Sequence, residues 1–152
     1  MPLNKDLREF VALLNSNDVE FVVVGAFALA RHGIPRYTGD IDLLIRPSPE
    51  NAERVLATLR EFGFGALALG LEDLSAPGKV IQLGVAPNRI DLLTSISGPE
   101  FREVWDTRAA GDLDGLPVFF IGKDALIRNK EATGRLRDLG DAEDLRKRTD
   151  PS

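Results

Sequence analysis

Hydrophobic positions recur along the chain with two periods, one typical of helices and one typical of strands. The helical period predicts helices at residues 4–16, 26–31 and 48–62, one that opens at residues 98–100, and two more at residues 123–133 and 135–148. Short apolar runs rich in β-branched residues predict strands at residues 20–24, 40–46, 80–85, 89–93 and 118–121. Residues 64–78 are ambiguous, and residues 111–117 are predicted to form a loop.

The order of these elements indicates the fold class. Helices and strands alternate, but only a short turn separates the strands at residues 80–85 and 89–93, which predicts an antiparallel hairpin. The expected fold is therefore α/β (α+β), with a mixed β-sheet flanked by helices. A chain of 152 residues, of which 43 % are hydrophobic and 28 % charged, is expected to form a single globular domain over residues 1–152.

Composition excludes several classes of function. The chain has no cysteine, which excludes a disulfide scaffold, a thiol nucleophile and a cysteine-based zinc site. A formal net charge of −5 disfavours a long nucleic-acid interface, although residues 123–148 carry eight basic and six acidic residues. The sequence shows no apolar run of the roughly 18–20 residues that cross a bilayer, and its first residues do not form an apolar signal segment. We therefore expect a cytoplasmic protein with no membrane partner.

Two aspartates in the second predicted strand are the first candidates for chemistry. Because side chains alternate along a strand, Asp40 and Asp42 point to one face, while Ile41 and Leu43 point to the core. Adjacent carboxylates repel each other, and a divalent cation removes that repulsion. Oxygen ligands favour Mg²⁺, Mn²⁺ or Ca²⁺ over zinc. The pair therefore predicts a metal site.

A third acid, Asp91, lies inside the apolar strand at residues 89–93. If that strand lies beside residues 40–46, the three carboxylates converge, as in sites that hold two metal ions against a triphosphate and an attacking oxygen. Two simpler interpretations stay open. Two acids at this spacing often form a solvated turn, and Asp91 could simply pair with Arg89 or Arg36.

Other residues are candidates for binding the phosphates of a nucleotide. Gly25 and Ala26 lie where the first strand turns into a short helix, so their backbone N–H groups would face an anion. Lys123 and Lys130 are seven residues apart and share one helix face, which would either neutralise a triphosphate or remain solvated. Arg36 could contact phosphate or form a surface salt bridge.

Taken together, these residues resemble a known family. A strand leads into Gly25 and Ala26 at the start of a helix. After thirteen intervening residues come Asp40 and Asp42, with a hydrophobic residue between them, and Asp91 follows on a later strand. This pattern is similar to that of the nucleotidyltransferase superfamily related to DNA polymerase β.

Two further stretches, residues 32–42 and 130–141, are similar to small prokaryotic nucleotidyltransferase-like proteins. Some of those proteins, of the abortive-infection type, act as toxins in toxin–antitoxin pairs. With these stretches the resemblance extends over about residues 20–145. Ala26 departs from the family pattern, which has Gly or Ser there, so this chain keeps the backbone N–H but lacks a serine hydroxyl.

The resemblance implies an enzyme that moves a nucleoside monophosphate from an NTP to a hydroxyl group and releases pyrophosphate. The acceptor would be tRNA, a protein or a small molecule. Asp40 and Asp42 would ligate Mg²⁺ (or Mn²⁺), and Asp91 would be the third ligand and the general base. Gly25 would contact the nucleotide phosphates through its backbone.

Two alternatives to this enzyme stay open. The chain could be a non-catalytic nucleotide-binding module or a partner within a toxin–antitoxin pair, which Ala26 and the short chain favour. It could also be a hydrolase that uses the same carboxylates and releases inorganic phosphate. Because a minimal domain has little room for a separate acceptor site, a homodimer or an antitoxin-type protein partner would supply one.

Overall fold

Helices and strands alternate along the chain, and the strands form one sheet. The computed structural model describes residues 3–64, 68–84 and 88–148. Its helices are α1 (Lys5–Ser16), α2 (Gly25–Arg31), α3 (Pro49–Glu61), α4 (Leu71–Ser75), α5 (Phe101–Asp106), α6 (Lys123–Thr133) and α7 (Leu136–Lys147). Its strands are β1 (Phe21–Val24), β2 (Ile41–Ile45), β3 (Val80–Leu83), β4 (Ile90–Leu93), β5 (Ala109–Leu113) and β6 (Leu116–Phe120).

The sheet has the strand order β3-β4-β2-β1-β6-β5 and contains both parallel and antiparallel pairs. β1 runs antiparallel to β2 and parallel to β6, whereas β2 and β4 are parallel. The predicted mixed sheet flanked by helices is thereby confirmed. The predicted hairpin is confirmed as β3 and β4, although residues 85–87 of its connection lie outside the described residues.

The core packs against the centre of the sheet because the central strands are apolar. β1 is buried along its whole length, and every residue of β2 except Asp42 is fully buried. A strand buried on both faces is expected to be a continuous run of β-branched and aliphatic residues, as β1 is. On α1, Leu7, Phe10, Val11 and Leu14 form the buried face.

Residues 109–117 correct the predicted loop at residues 111–117. The segment contains β5, a tight turn at Asp114 and Gly115, and the first residues of β6. Both turn residues have positive φ, 51° and 83°, as the two-residue turns of hairpins require. Gly111 and Asp112 are poor strand formers, and pairing with β6 overrides that local preference.

The ambiguous segment at residues 64–78 contains one short helix, α4, in its described part. Asp73 in its first turn accepts a hydrogen bond from the backbone N–H of Gly70 at 2.8 Å, which defines where the helix begins. Within the described ranges, no helix combines the length and the apolar character needed to cross a bilayer.

Candidate functional site

A cleft of about 880 Å³ opens between the sheet and the α6–α7 pair. Gly25 and Ala26 line it where β1 meets α2, and Asp42 and Asp91 line it from β2 and β4. Lys130 and the α6–α7 junction line the opposite wall. This volume is within the range of small-molecule sites, and the cleft has one acidic and one basic wall.

Asp42 and Asp91 form the centre of the acidic wall. They are register partners in the parallel β2–β4 pair, which places their side chains beside each other. Asp91 is only 7 % exposed, and its carboxyl group shares a hydrogen bond with Asp42. Burial, followed by the hydrogen bond and the charge of Asp91, raises the pKa of Asp42 to about 6. Asp42 and Asp91 therefore share a proton below about pH 6, and above that pH the two carboxylates repel each other.

Asp40 lies one residue before β2, and Arg89 holds its carboxylate. The backbone N–H of Arg89 donates to Oδ1 of Asp40 at 3.1 Å, and Nη2 of Arg89 lies 3.6 Å from Oδ2 of Asp40. The same guanidinium donates to both carboxylate oxygens of Asp91, at 2.8 and 3.1 Å. The structure thus brings the three predicted acids together, and it also confirms the simpler interpretation that Asp91 pairs with Arg89.

The carboxylate oxygens of these acids are the donors that a hard divalent cation prefers, but the side chains are not arranged around a common metal position. Among the described residues, no group of three His, Cys, Asp or Glu side chains is disposed to hold a metal ion. Asp42 and Asp91, however, are neighbouring oxygen donors whose mutual repulsion a cation would relieve as a proton does. These two residues could hold such an ion, and Asp40 could join them if Arg89 moved.

Gly25 allows this carboxylate to lie against the β1–α2 turn. It has a φ of +70°, a conformation that L side chains rarely adopt. A Cβ atom at Gly25 would lie 2.1 Å from Oδ2 of Asp42. Glycine is therefore required twice here, for the backbone conformation and for the close approach of Asp42.

The opposite wall is an ion-pair network at the α6–α7 junction. Nζ of Lys130 lies 3.1 Å from Oδ1 of Asp138 and 3.4 Å from Oδ2 of Asp141. Thr133 and Arg135 also donate to Oδ2 of Asp138, at 2.7 and 2.8 Å. Burial alone would raise the pKa of Asp138, but the hydrogen bonds from Thr133, Lys130 and Arg135 lower it to about 2.

Asp138→Asn is expected to lower the free energy of unfolding at pH 7 by about 2 kcal/mol. The pKa of Asp138 is lower in the folded protein than its ordinary value of 3.8, so its ionised form stabilises the fold above that pH. This contribution is lost as the pH falls towards 2. Urea unfolding of both proteins at pH 7 and at pH 2–3 measures the difference, which should shrink at the lower pH.

The exposed Asp144 on the same helix provides the control for this prediction. Asp144→Asn removes the same charge without breaking the network, so the pH dependence of unfolding should match that of the native protein. An Asp138→Asn protein that is as stable as the native protein at pH 7 would contradict the structural role of the network.

Arg36 and Lys123 are both predicted to bind nucleotide, and the structure places them differently relative to the cleft. Arg36 lines the cleft, and its guanidinium is paired with Asp141. Lys123 is not among the described residues that line the cleft, so its contact with a nucleotide stays a prediction. Its ammonium group donates to the backbone carbonyl of Arg148, because the helix face that carries it packs towards the end of α7.

Sequence reasoning does not select Arg137, and it considers Arg89 only as an ion-pair partner of Asp91, although both belong to the site. Arg137 lines the cleft from the first turn of α7, and its side chain is exposed. Arg89 precedes Asp91 by two residues, so the strand period that places Asp40 and Asp42 on one face also places Arg89 beside Asp91. That period was the signal available for Arg89.

Comparisons with known proteins show what this chain is similar to in sequence and in fold. Residues 10–78 match the sequence model of a family described as "Nucleotidyl transferase AbiEii toxin, Type IV TA system". No curated protein is significantly similar to the chain in sequence. A solved structure of a provisionally assigned nucleotidyltransferase from Thermotoga maritima aligns with a TM-score of 0.55 and 18% identity, covering 93% of this chain and 88% of that one.

ANT(2")-Ia, an aminoglycoside nucleotidyltransferase solved in complex with adenylyl-2"-tobramycin, aligns with a TM-score of 0.53 and 15% identity. That alignment covers 93% of this chain and 91% of ANT(2")-Ia. The predicted resemblance to nucleotidyltransferases is thus confirmed, by sequence for residues 10–78 and by fold for most of the chain.

Proposed function

We propose, on the premise of this family match and this fold, that the chain is a metal-dependent nucleotidyltransferase. It transfers a nucleoside monophosphate from an NTP to a hydroxyl acceptor and releases pyrophosphate. One observation carries the proposal. Two adjacent carboxylates, Asp42 and Asp91, lie on one wall of a cleft whose other wall holds Lys130, Arg135 and Arg137.

The two walls suit the two halves of a metal–nucleotide complex. The acidic wall would hold Mg²⁺ or Mn²⁺ through Asp42 and Asp91, with Asp40 as a further ligand. When bound, the metal would neutralise the triphosphate and make the attacking hydroxyl more acidic, and a second ion would share this task. The exposed guanidinium of Arg137 is placed to attract the triphosphate.

The reaction breaks one bond and forms another at the α-phosphorus. The acceptor oxygen bonds to that phosphorus, the bond to the β-phosphate oxygen breaks, and pyrophosphate leaves. Asp91 would accept the hydroxyl proton, and the backbone of Gly25 and Ala26 would position the phosphates. The acceptor would be tRNA, a protein hydroxyl or a small molecule, and the matched family suggests an antitoxin-type partner.

A transfer assay tests this function directly. Each α-³²P-labelled NTP is incubated with the protein, Mg²⁺ or Mn²⁺, and a cell extract that supplies RNA, proteins and small molecules. We expect label to enter one acceptor class with the native protein, to be lost with Asp42→Asn and Asp91→Asn, and to require the metal. Release of inorganic phosphate instead of pyrophosphate would indicate a hydrolase and would contradict the proposal.

A non-catalytic nucleotide-binding module is the second candidate. Two observations favour it: Ala26 has no hydroxyl to offer a phosphate, and Arg89 already occupies both oxygens of Asp91. Equilibrium dialysis with the same labelled NTPs distinguishes the two functions. Binding of an NTP by a folded protein that transfers label to no acceptor, with either metal, would favour the binding module.

A further inference from the structure

Arg89 places a permanent positive charge among the three carboxylates. Its Nε and Nη2 atoms donate to the two oxygens of Asp91 at 2.8 and 3.1 Å, and Nη2 lies 3.6 Å from Asp40. This two-point contact is the geometry in which a guanidinium binds a carboxylate most strongly. Asp40 and Asp91 are therefore already neutralised in part, and Asp42 is the acid that the guanidinium does not contact directly.

A divalent ion between Asp42 and Asp91 would meet this guanidinium. The ion needs an oxygen of Asp91, and both oxygens of that residue accept hydrogen bonds from Arg89. The positive charge of the guanidinium, which lies within about 3 Å of the Asp91 oxygens, would also repel the ion. In the described part of the chain no group of three acids is disposed to hold a metal, and at the Asp42–Asp91 pair the guanidinium of Arg89 occupies the place beside Asp91.

Arg89 can leave the acids without a change in the backbone. Its side chain is 32 % exposed, so it has a route to solvent, whereas the side chain of Asp91 is 10 % exposed. The backbone N–H of Arg89 separately holds Asp40 at 3.1 Å. If the guanidinium swung out, Asp40 would therefore stay in place.

We propose that Arg89 is a built-in competitor of the catalytic metal: its guanidinium occupies Asp91 and Asp40 in the resting protein and is displaced when a divalent ion binds. The inference rests on the metal dependence in the proposed function. It goes beyond that function because it assigns to Arg89 the control of metal affinity. Metal would then bind weakly to the nucleotide-free protein, and the triphosphate would help to pull the guanidinium away.

Mn²⁺ binding to the nucleotide-free protein tests the competition without any measurement of activity. Electron paramagnetic resonance of free Mn²⁺ gives the Kd for the native protein and for Arg89→Ala. Removing a unit charge within a few ångströms of a divalent ion should tighten binding at least about tenfold. An unchanged or weaker affinity in Arg89→Ala would overturn the inference and leave the proposed function intact.

Two controls locate the ion. Arg102→Ala removes the same charge from an exposed side chain on α5, so the Kd should stay at its native value. Asp42→Asn should abolish Mn²⁺ binding in both the native and the Arg89→Ala backgrounds. Tight binding that persists in the double variant would place the ion elsewhere and overturn the inference. If neither the native protein nor Arg89→Ala binds Mn²⁺ at millimolar concentration, the metal dependence itself fails.

A second measurement follows Arg89 in the native protein, and a variant serves only to assign its resonance. With ¹⁵N-labelled arginine, the Nε–H resonance of Arg89 reports its hydrogen bond to Asp91, and Arg89→Lys assigns that resonance. Titration with diamagnetic Mg²⁺ should move it to the position of a solvated arginine, while the Arg102 resonance stays unchanged. An Arg89 resonance that keeps its position at saturating Mg²⁺ would show that metal and guanidinium bind together, which overturns the inference.

Discussion

Asp42→Asn is expected to make the metal-free protein more stable at pH 8 and to reduce nucleotidyl transfer by at least about a thousandfold. Burial and the neighbouring Asp91 raise the pKa of Asp42 from 3.8 to about 6 in the folded protein. The fold therefore favours the protonated form, and ionisation of Asp42 above pH 6 costs stability. Asparagine is uncharged at every pH and can still donate a hydrogen bond to Asp91.

The sign of the pH dependence distinguishes this prediction from a general stabilisation. A carboxyl group whose pKa is raised by folding contributes most below its unfolded value, and this contribution is lost as the pH rises through about 6. Asp42→Asn should gain stability on the order of 2 kcal/mol at pH 8, allowing for the partial exposure of Asp42. The gain should vanish near pH 4, and urea unfolding across this range measures it.

Metal should reduce this difference in stability between Asp42→Asn and the native protein. At pH 8, Mg²⁺ should stabilise the native protein by binding only the folded state, and it should leave Asp42→Asn unchanged. Transfer should fall by the stated factor because the lost metal interaction amounts to several kcal/mol of transition-state stabilisation. Asp144→Asn, an exposed control, should change neither activity nor the pH profile. An Asp42→Asn protein that retains transfer would exclude Asp42 from catalysis.

The fold could be predicted largely because the chain follows local sequence rules, and the strand β5, which was predicted as a loop, shows the limit of those rules. Asp114 and Gly115 form the dipeptide that favours a hairpin turn, but Gly111 and Pro117 on either side indicated a loop. Pro117 is tolerated in β6 because β6 pairs with β1 only at Phe120. The strand β5 exists through its pairing with β6, and the poor strand formers Gly111 and Asp112 hid the hairpin that Asp114 and Gly115 signal.

The acidic wall of the site was predictable, while the basic wall was predictable only in part. The strand period selects Asp42, and the register of β2 and β4 then adds Asp91. Asp40 lies just before β2, where Arg89 holds it, and it is not among the described residues that line the cleft. Helix spacing correctly places Lys123 and Lys130 on one face of α6. It could not show that this face packs towards α7, where Lys123 bonds to a backbone carbonyl and Lys130 to two aspartates.

Gly25→Ala is expected to lower the free energy of unfolding by about 2–4 kcal/mol and to reduce nucleotidyl transfer at least about a hundredfold. The added methyl group would meet Oδ2 of Asp42 at 2.1 Å, where no Cβ atom can fit. The φ of +70° adds a backbone strain of about 1–2 kcal/mol for any residue other than glycine. Asp42 must then move away from Asp91, which separates the two proposed metal ligands and weakens Mn²⁺ binding.

Gly134 is the control position that measures backbone strain without a steric contact. Its φ of +71° matches that of Gly25, and nothing lies within 4 Å of a Cβ built there. Gly134→Ala should therefore lose only the strain, about 1–2 kcal/mol by urea unfolding. A double-mutant cycle isolates the contact with the carboxylate: in an Asp42→Ala background, Gly25→Ala should cost clearly less than in the native background, because the oxygen at 2.1 Å has gone and only the Cβ of residue 42, at 3.1 Å, stays close. If Gly25→Ala lowers the free energy of unfolding equally with and without the Asp42 carboxylate, this glycine is required only for the conformation of the turn. Asp42 is then positioned by its strand.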